Sequence, residues 1–194
     1  MGQNSTDVQE DLRRGRIEAA MIAVPAVSSE GMTVTPVASD ELVYISADAE
    51  RLRTPVSAAR LSQASLVMPE TTWRSEDSTR IVLRRMLHET GLNPQTRIEV
   101  EDVETAVELV GMGLADSVVP KGAAVQLLPR LAPHAGWVSL RPRQFDSLAI
   151  VHRSGATLSP AARLMIELAT RRIQEIAEPL PAPPRRTPRP SVAG

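Results

Sequence analysis

LRRGRIEAAMIAVP, residues 12–25, is the stretch on which the fold class turns. Its first residues close a helix that begins near Thr6. Val8 and Leu12 stand one turn apart there, Thr6 or Asp7 can cap the start, and Gly15 suits the left-handed residue that ends a helix. Ile17 to Val24 is then apolar except for Glu18, as expected of a strand covered on both faces, and Pro25 marks its end. The unit is helix, turn, buried strand.

Outward from this unit the same alternation continues. Met32 to Val37 and Glu41 to Ser46 carry the β-branched and aromatic residues of two strands, separated by the polar gap 38–40. A short helix is expected over Ser57 to Gln63, and a strand over Ser65 to Met68 that stops at Pro69 before a polar loop, Glu70 to Asp77. Val82, Leu83, Met86 and Leu87 make one stripe of a helix from Ser78 to Thr90, which Gly91 ends. Arg97 to Glu101 alternates as a half-exposed strand does, and Asp102 caps a helix that turns Val103, Ala106, Val107 and Val110 inward. Ser117 to Val119, Trp137 to Leu140 and Ser147 to His152 read as further strands. Ser159 and Pro160 open a last helix whose buried stripe is Ala162, Met165, Ile166, Ala169, Ile173 and Ile176. From Glu178 onward a tail holds six of the chain's 16 prolines and is expected to be disordered. Helices alternating with strands imply an α/β fold built on parallel sheets.

Composition narrows the function. Of the 194 residues 42% are hydrophobic and 23% charged, enough for a packed core. The formal charge of -1 leaves no surplus of cations to neutralise a phosphate backbone, and four aromatic rings provide no stacking platform, so this chain is not expected to hold nucleic acid by itself. No apolar run reaches the roughly 20 residues of a membrane span, and Met1 to Glu10 is polar where a signal peptide is apolar, which points to a cytoplasmic protein. Without cysteine there is no disulfide, thiol nucleophile or thiolate metal site. His88, His134 and His152 lack a second ligand at helical spacing, so no metal is expected. Gly111-Met112-Gly113 is too short for a dinucleotide fingerprint and Pro120-Lys121-Gly122 is no P-loop, so no nucleotide cofactor is expected. Ser117 and Ser147 lack a nucleophile turn and an acid–histidine pair.

The order of several short motifs carries a resemblance. Leu12, Gly15, Ile17, Glu18, Ala19, Ala20, Met21 and Ile22 resemble the leucine–glycine–leucine–aspartate–leucine–alanine–isoleucine signature of LysR-type transcription regulators, with Glu18 in place of aspartate. Val110 to Pro120 is similar to the family's glycine turn, apolar strand and proline, with Ala115 for the second glycine and Asp116 where an apolar residue is commoner. Thr90-Gly91-Leu92-Asn93-Pro94 and the Glu99 to Asp102 segment lie between these two in the family's order. Leu148 to Arg153 and Leu158 to Arg163 resemble its closing strand and helix. The resemblance covers about residues 5–176 and implies an effector-sensing domain: two Rossmann-like lobes as in type 2 periplasmic binding proteins, joined by two crossover strands, with a small ligand between them. On that template Glu41 to Ser46 and Ser147 to His152 are the crossovers. Residues 1–40 with 147–177 form lobe I, 41–146 form lobe II, and 178–194 form the tail. The family's opening strand and helix have no counterpart, because Gly2 to Asp7 already matches the entry to the second helix. Apolar faces and a strand edge in lobe I would then be exposed. The resemblance also implies a homodimer or tetramer, and contact with DNA only through a winged helix-turn-helix head absent from this chain.

Ligands in α/β folds sit beyond the carboxyl ends of the strands. That places Ala23, Val24 and Pro25, the loop Pro69, Glu70, Thr71, Thr72, Trp73 and Arg74, and Asp102 with Val103 around the effector. Thr71, Thr72 and Ser75 either bind it or cap the following helix. Trp73 either covers it or packs on that helix. The helix start near Ser78 and Arg74 favour an anionic or polar effector, whereas Glu70 would repel an anion. Two other classes share this fold. A solute-binding protein calls for a signal peptide or a lipid-bearing cysteine, and an enzyme calls for an acid, base or covalent cofactor in the cleft, with Glu70 and Asp102 as the acids to test.

Overall fold

The computed structural model describes residues 5–24, 30–69, 78–92 and 96–176. In chain order these give α1 (Ser5–Arg13), β1 (Ala19–Val24), β2 (Met32–Ser46), a 3-10 turn (Ala49–Leu52), β3 (Val56–Ser57), α2 (Ala58–Gln63), β4 (Leu66–Pro69), α3 (Ser78–His88), β5 (Thr96–Val100), α4 (Val103–Gly111), β6 (Ser117–Pro120), α5 (Lys121–Leu131), β7 (Gly136–Arg153) and α6 (Pro160–Ile176). The opening helix falls where the sequence puts it, but the strand begins at Ala19 rather than Ile17 and is not covered on both faces: it lies at the end of its sheet, with Ile22 buried and Ala19, Ala20, Met21 and Ala23 half-buried. Gly15 takes φ +69 and closes α1 through its N–H to the Leu12 carbonyl.

Two strands organise the molecule. β2 runs 15 residues and β7 runs 18, and they pair antiparallel from Met32↔Arg153 to Ser46↔Gly136. The polar gap at 38–40 is therefore no gap. Ala38, Ser39 and Asp40 stay extended and pair with Leu148, Ser147 and Asp146. Likewise Trp137 to Leu140 and Ser147 to His152 are two ends of one strand. Irregular register between Pro36 and Ala38, and again between Leu42 and Val43, bends the pair on either side of its centre. One end of the pair joins β1 in a three-stranded sheet, and the other joins β6 and the short β3.

The expectation of parallel sheets needs correction. Among the described residues parallel pairing is confined to β4 with β5, β3 with β7, and the single bridge Leu66↔Asp116 that ties β4 to β6. The ladders β1–β7, β2–β7 and β2–β6 are antiparallel. Helix–strand alternation implies parallel neighbours only where a helix returns the chain to the same end of the sheet, as α3 does between β4 and β5.

Alternation along β2 builds two cores. Leu42 and Tyr44 face one side with Leu66, Met68 and Val118, under Leu61 of α2 and Leu83, Met86 and Leu87 of α3. Val43 and Ile45 face the other with Val67 and Val119, under Ala106, Val107 and Val110 of α4 and Ala124 and Leu128 of α5. Leu61, Leu66 and Leu87 are fully buried, each removing about 1.5–3 kcal/mol of apolar surface from water. The third core is smaller: Leu12 of α1 sits on Ile22, Met32, Ala149 and Val151. On the opposite face of that sheet α6 is thinly covered. Its expected stripe holds at Ala162, Ile166, Ala169 and Ile173, which are half-buried, but Met165 is 65% exposed because no element lies beyond it among the described residues.

α5 is absent from the sequence reading. Pro129 lies inside it and Pro120 before it provides no side-chain cap. The carboxylate of Asp40, 82 residues away, accepts the Gly122 N–H at 3.2 Å to both oxygens. A non-local cap leaves no mark on local sequence. The Ala124 and Leu128 spacing was the available signal. The tail from 178 lies outside the described residues.

Candidate functional site

The centre of the β2–β7 pair is rich in polar groups held out of water. Ser39 is 1% exposed, Glu41 1% and Asp146 3%. Asp40 lies opposite Asp146 in the ladder. Each of these carboxylates is tied to a helix start. Asp40 holds the first turn of α5 as described, and a Cβ on Gly122 would come within 2.9 Å of its Oδ2, so glycine is what lets the backbone approach. Asp146 Oδ2 accepts the Thr79 hydroxyl at 3.2 Å, which pins the first turn of α3 to β7. A carboxylate beside the positive end of a helix is favourable in both places.

Glu41 is held differently. Arg143 donates to it through two nitrogens, Nε to Oε1 at 2.8 Å and Nη2 to Oε2 at 2.6 Å. Lys121 Nζ stands 3.8 Å from Oε2 and also lies over the Trp137 ring at 5.3 Å. The Arg143 fork holds the Glu41 carboxyl below its ordinary range, against the opposing effect of burial.

The expected site residues distribute as follows. Ala23 pairs with Leu148 and Val24 with Ser147, so the carboxyl end of β1 reaches the crossing beside Asp146. Pro69 ends β4 opposite Val100 of β5. Across the sheet β4 lies two places from β2 and β5 three, which at ~4.8 Å per strand sets their ends roughly 10 and 14 Å from the crossing. Asp102 caps α4, its Oδ1 accepting the Thr105 N–H at 2.7 Å, and Val103 begins that helix partly buried. Pro25, Glu70, Thr71, Thr72, Trp73 and Arg74 lie outside the described residues. The crossing groups Asp40, Glu41, Thr79, Arg143 and Asp146 were missed. Their signal was present in the acids of Ser39-Asp40-Glu41 and Phe145-Asp146-Ser147, which interrupt otherwise apolar strands.

Asp116, the residue at odds with the apolar pattern, has a structural explanation. It is 2% exposed and accepts the Tyr44 hydroxyl at 2.6 Å and Arg51 Nη1 at 2.5 Å, while its backbone bridges to β4. Burial first, and this carboxylate second, push the Tyr44 phenol well above its ordinary range. Among the described residues no group of three or more metal-ligating side chains occurs. No described helix is long and apolar enough to cross a membrane.

Comparison with known proteins places this architecture. The model of the LysR substrate binding domain matches residues 2–174. The chain belongs to the LysR substrate-binding domain family. No curated protein matches it. Among solved structures, the effector binding domain of QuiR in complex with shikimate is similar at TM-score 0.73 and 16% identity, over 90% of this chain and 80% of that one. The CcmR regulatory domain of Synechocystis PCC6803 in complex with 2-PG gives 0.74 and 14%, over 89% and 81%. Full-length CbnR in complex with its target DNA gives 0.67 and 16%, over 87% of this chain but 57% of that one. At these identities the likeness shows the fold: the type 2 periplasmic-binding-protein arrangement of two α/β lobes, with β2 and β7 as the strands that pass between them.

Proposed function

We propose that this chain is the effector-sensing and oligomerisation domain of a LysR-type transcription regulator of the bacterial cytoplasm. A small molecule settles between lobe I, residues 1–40 with 147–177, and lobe II, residues 41–146. Its tighter binding to the closed arrangement shifts the angle between the lobes. That shift alters how subunits of a homodimer or tetramer present their DNA-binding heads, which are separate from the elements described above. The family match over residues 2–174 carries this reading. The lobe limits are supported by the ladder, in which Asp40 and Asp146 stand opposite each other where β2 and β7 exchange one set of partners for another.

The effector site in this reading comprises Ala23, Val24, Pro25, Pro69 to Arg74, Asp102 and Val103, with Thr79 and Asp146 at its base. The start of α3 and the Arg74 guanidinium suit an anionic group on the ligand. The test is calorimetric titration and thermal shift of the chain against a panel that includes shikimate, 2-PG and other small carboxylates and polyols. Saturable one-to-one binding, weakened at least tenfold by Arg74→Met for the anions, is expected. A folded protein that takes up no member of a broad metabolite panel would remove the sensing role, and detected turnover lost in Glu70→Gln or Asp102→Asn would replace it with catalysis.

A further inference from the structure

α3 and the β4–β5 pair border a small cavity of about 130 Å³, lined among the described residues by Met68, Arg80, Leu83, Arg84 and Thr96. Met68 and Leu83 are buried and give it an apolar floor, and Thr96, the first residue of β5, completes the lining. Thr79 ties α3 to Asp146 of β7, whereas Arg80, one residue on, reaches Glu99 of β5. The cavity therefore belongs to the β5 side of the helix, and none of its lining residues is among those assigned to the effector above.

Arg80 is satisfied along one side only. Its Nη1 donates to Glu99 Oε1 at 2.8 Å. Its Nε and Nη2 are held out of water and donate to no acceptor. These two nitrogens form one edge of the guanidinium, with N–H bonds spaced to meet two oxygens of a single carboxylate or phosphoryl group. Arg143 shows the same edge in use, its Nε and Nη2 holding the two oxygens of Glu41 at 2.8 and 2.6 Å. Buried donors of a charged group are unfavourable without acceptors, so the occupant must bring oxygens. Charge selects the same occupant. Arg84 stands one turn after Arg80, lines the same cavity, and makes no ion pair or hydrogen bond among the described residues. Arg80 also falls in the first turn of α3, which holds no acidic residue, so the positive end of the helix adds to the demand for an anion.

We propose that this cavity binds one small oxyanion, a carboxylate or phosphoryl group, gripped through two oxygens by Nε and Nη2 of Arg80 and faced by Arg84. Its volume is that of roughly four waters, which suits an inorganic ion or the head of a larger acid. The site is separate from the effector cleft and does not rest on that reading.

Calorimetric titration of the full 194-residue chain with inorganic phosphate, and separately with acetate, at an ionic strength held constant with sodium chloride, tests it. The expected result is saturable one-to-one binding of at least one of the two at millimolar concentration or below, with a matching rise in melting temperature. The tighter of the two names the group. Arg80→Lys keeps a cation within reach of Glu99 but loses the paired N–H edge, and weakens binding at least tenfold while the melting temperature without anion changes little. Arg84→Gln, at an exposed side chain, weakens it about threefold and carries the test if Arg80→Lys does not fold. Arg74→Met leaves it unchanged. No saturable binding of either ion up to about 50 mM overturns the proposal. So does binding indifferent to Arg80→Lys and Arg84→Gln, or binding abolished by Arg74→Met, which would put the anion in the effector cleft.

Discussion

Removing Arg143 and removing Glu41 break the same pair, yet they should differ in cost. Glu41 is 1% exposed, whereas the Arg143 side chain is 50% exposed. Arg143→Met leaves a carboxylate in the interior with the Ser139 side chain and Lys121 at 3.8 Å as its remaining partners. Breaking a fully buried pair costs about 3–5 kcal/mol, and discounting for Lys121 and the half-solvated arginine brings this to about 2–3 kcal/mol. Glu41→Gln leaves an arginine that regains water, and should cost about 1 kcal/mol. Urea unfolding followed by tryptophan fluorescence and circular dichroism measures both. The pH dependence sharpens the test. Glu41 titrates below its ordinary 4.5 in the folded state, so the stabilisation it gives the parent protein is complete above that value and is lost as pH falls through the depressed one. In Arg143→Met the largest opposition to burial is gone, leaving Ser139 and Lys121, and the folded carboxyl titrates higher than in the parent. The gap between parent and variant is therefore widest near neutrality and closes as pH falls through the titration of the variant's carboxyl and then of the parent's depressed one. Equal costs for the two substitutions, or a gap that does not change with pH, would refute the assignment of Glu41 as an interior charge dependent on Arg143.

Two further predictions follow from single contacts. Tyr44 is the chain's one tyrosine, so absorbance at the phenolate band reports on it alone; the native protein should show no ionisation at about pH 10, where the urea-unfolded chain is half ionised, and stability should fall as pH rises beyond that value because the folded phenol titrates higher than the unfolded one. Gly111→Ala would place a Cβ 2.7 Å from the Ala132 Cβ where α4 meets α5; the expected cost is about 1–3 kcal/mol, read as a fall in melting temperature.

Much of the scaffold can be read from local sequence because its signals are local. The helix and glycine turn at 12–15, the Asp102 cap and the Leu83, Met86 and Leu87 stripe each state their structure within a turn or two, and the described elements agree. What escaped reading depends on partners far along the chain. Ser39 and Asp40 look like a break until Ser147 and Asp146 lie beside them. Gly122 looks like an ordinary loop residue until Asp40 caps its helix. Asp116 departs from the family's apolar pattern until Tyr44 and Arg51 surround its oxygen. The site is less legible than the fold for the same reason. Strand ends are legible, and Ala23, Val24 and Pro69 do end their strands, but the acids that anchor α3 and α5 to the crossing strands belong to segments whose proximity no local pattern records.

The pairing of β1 with β7 has a consequence for synthesis. Ala19 and Val24 meet His152 and Ser147, so the first strand leaves the ribosome well over a hundred residues ahead of the strand that shelters it. At roughly 5–20 residues per second that is an interval on the order of ten seconds. Throughout it, the elements between β1 and the end of β7 can pack on one another while β1 waits with its apolar residues unsheltered. A chaperone that holds β1 would therefore have to stay on it until β7 emerges.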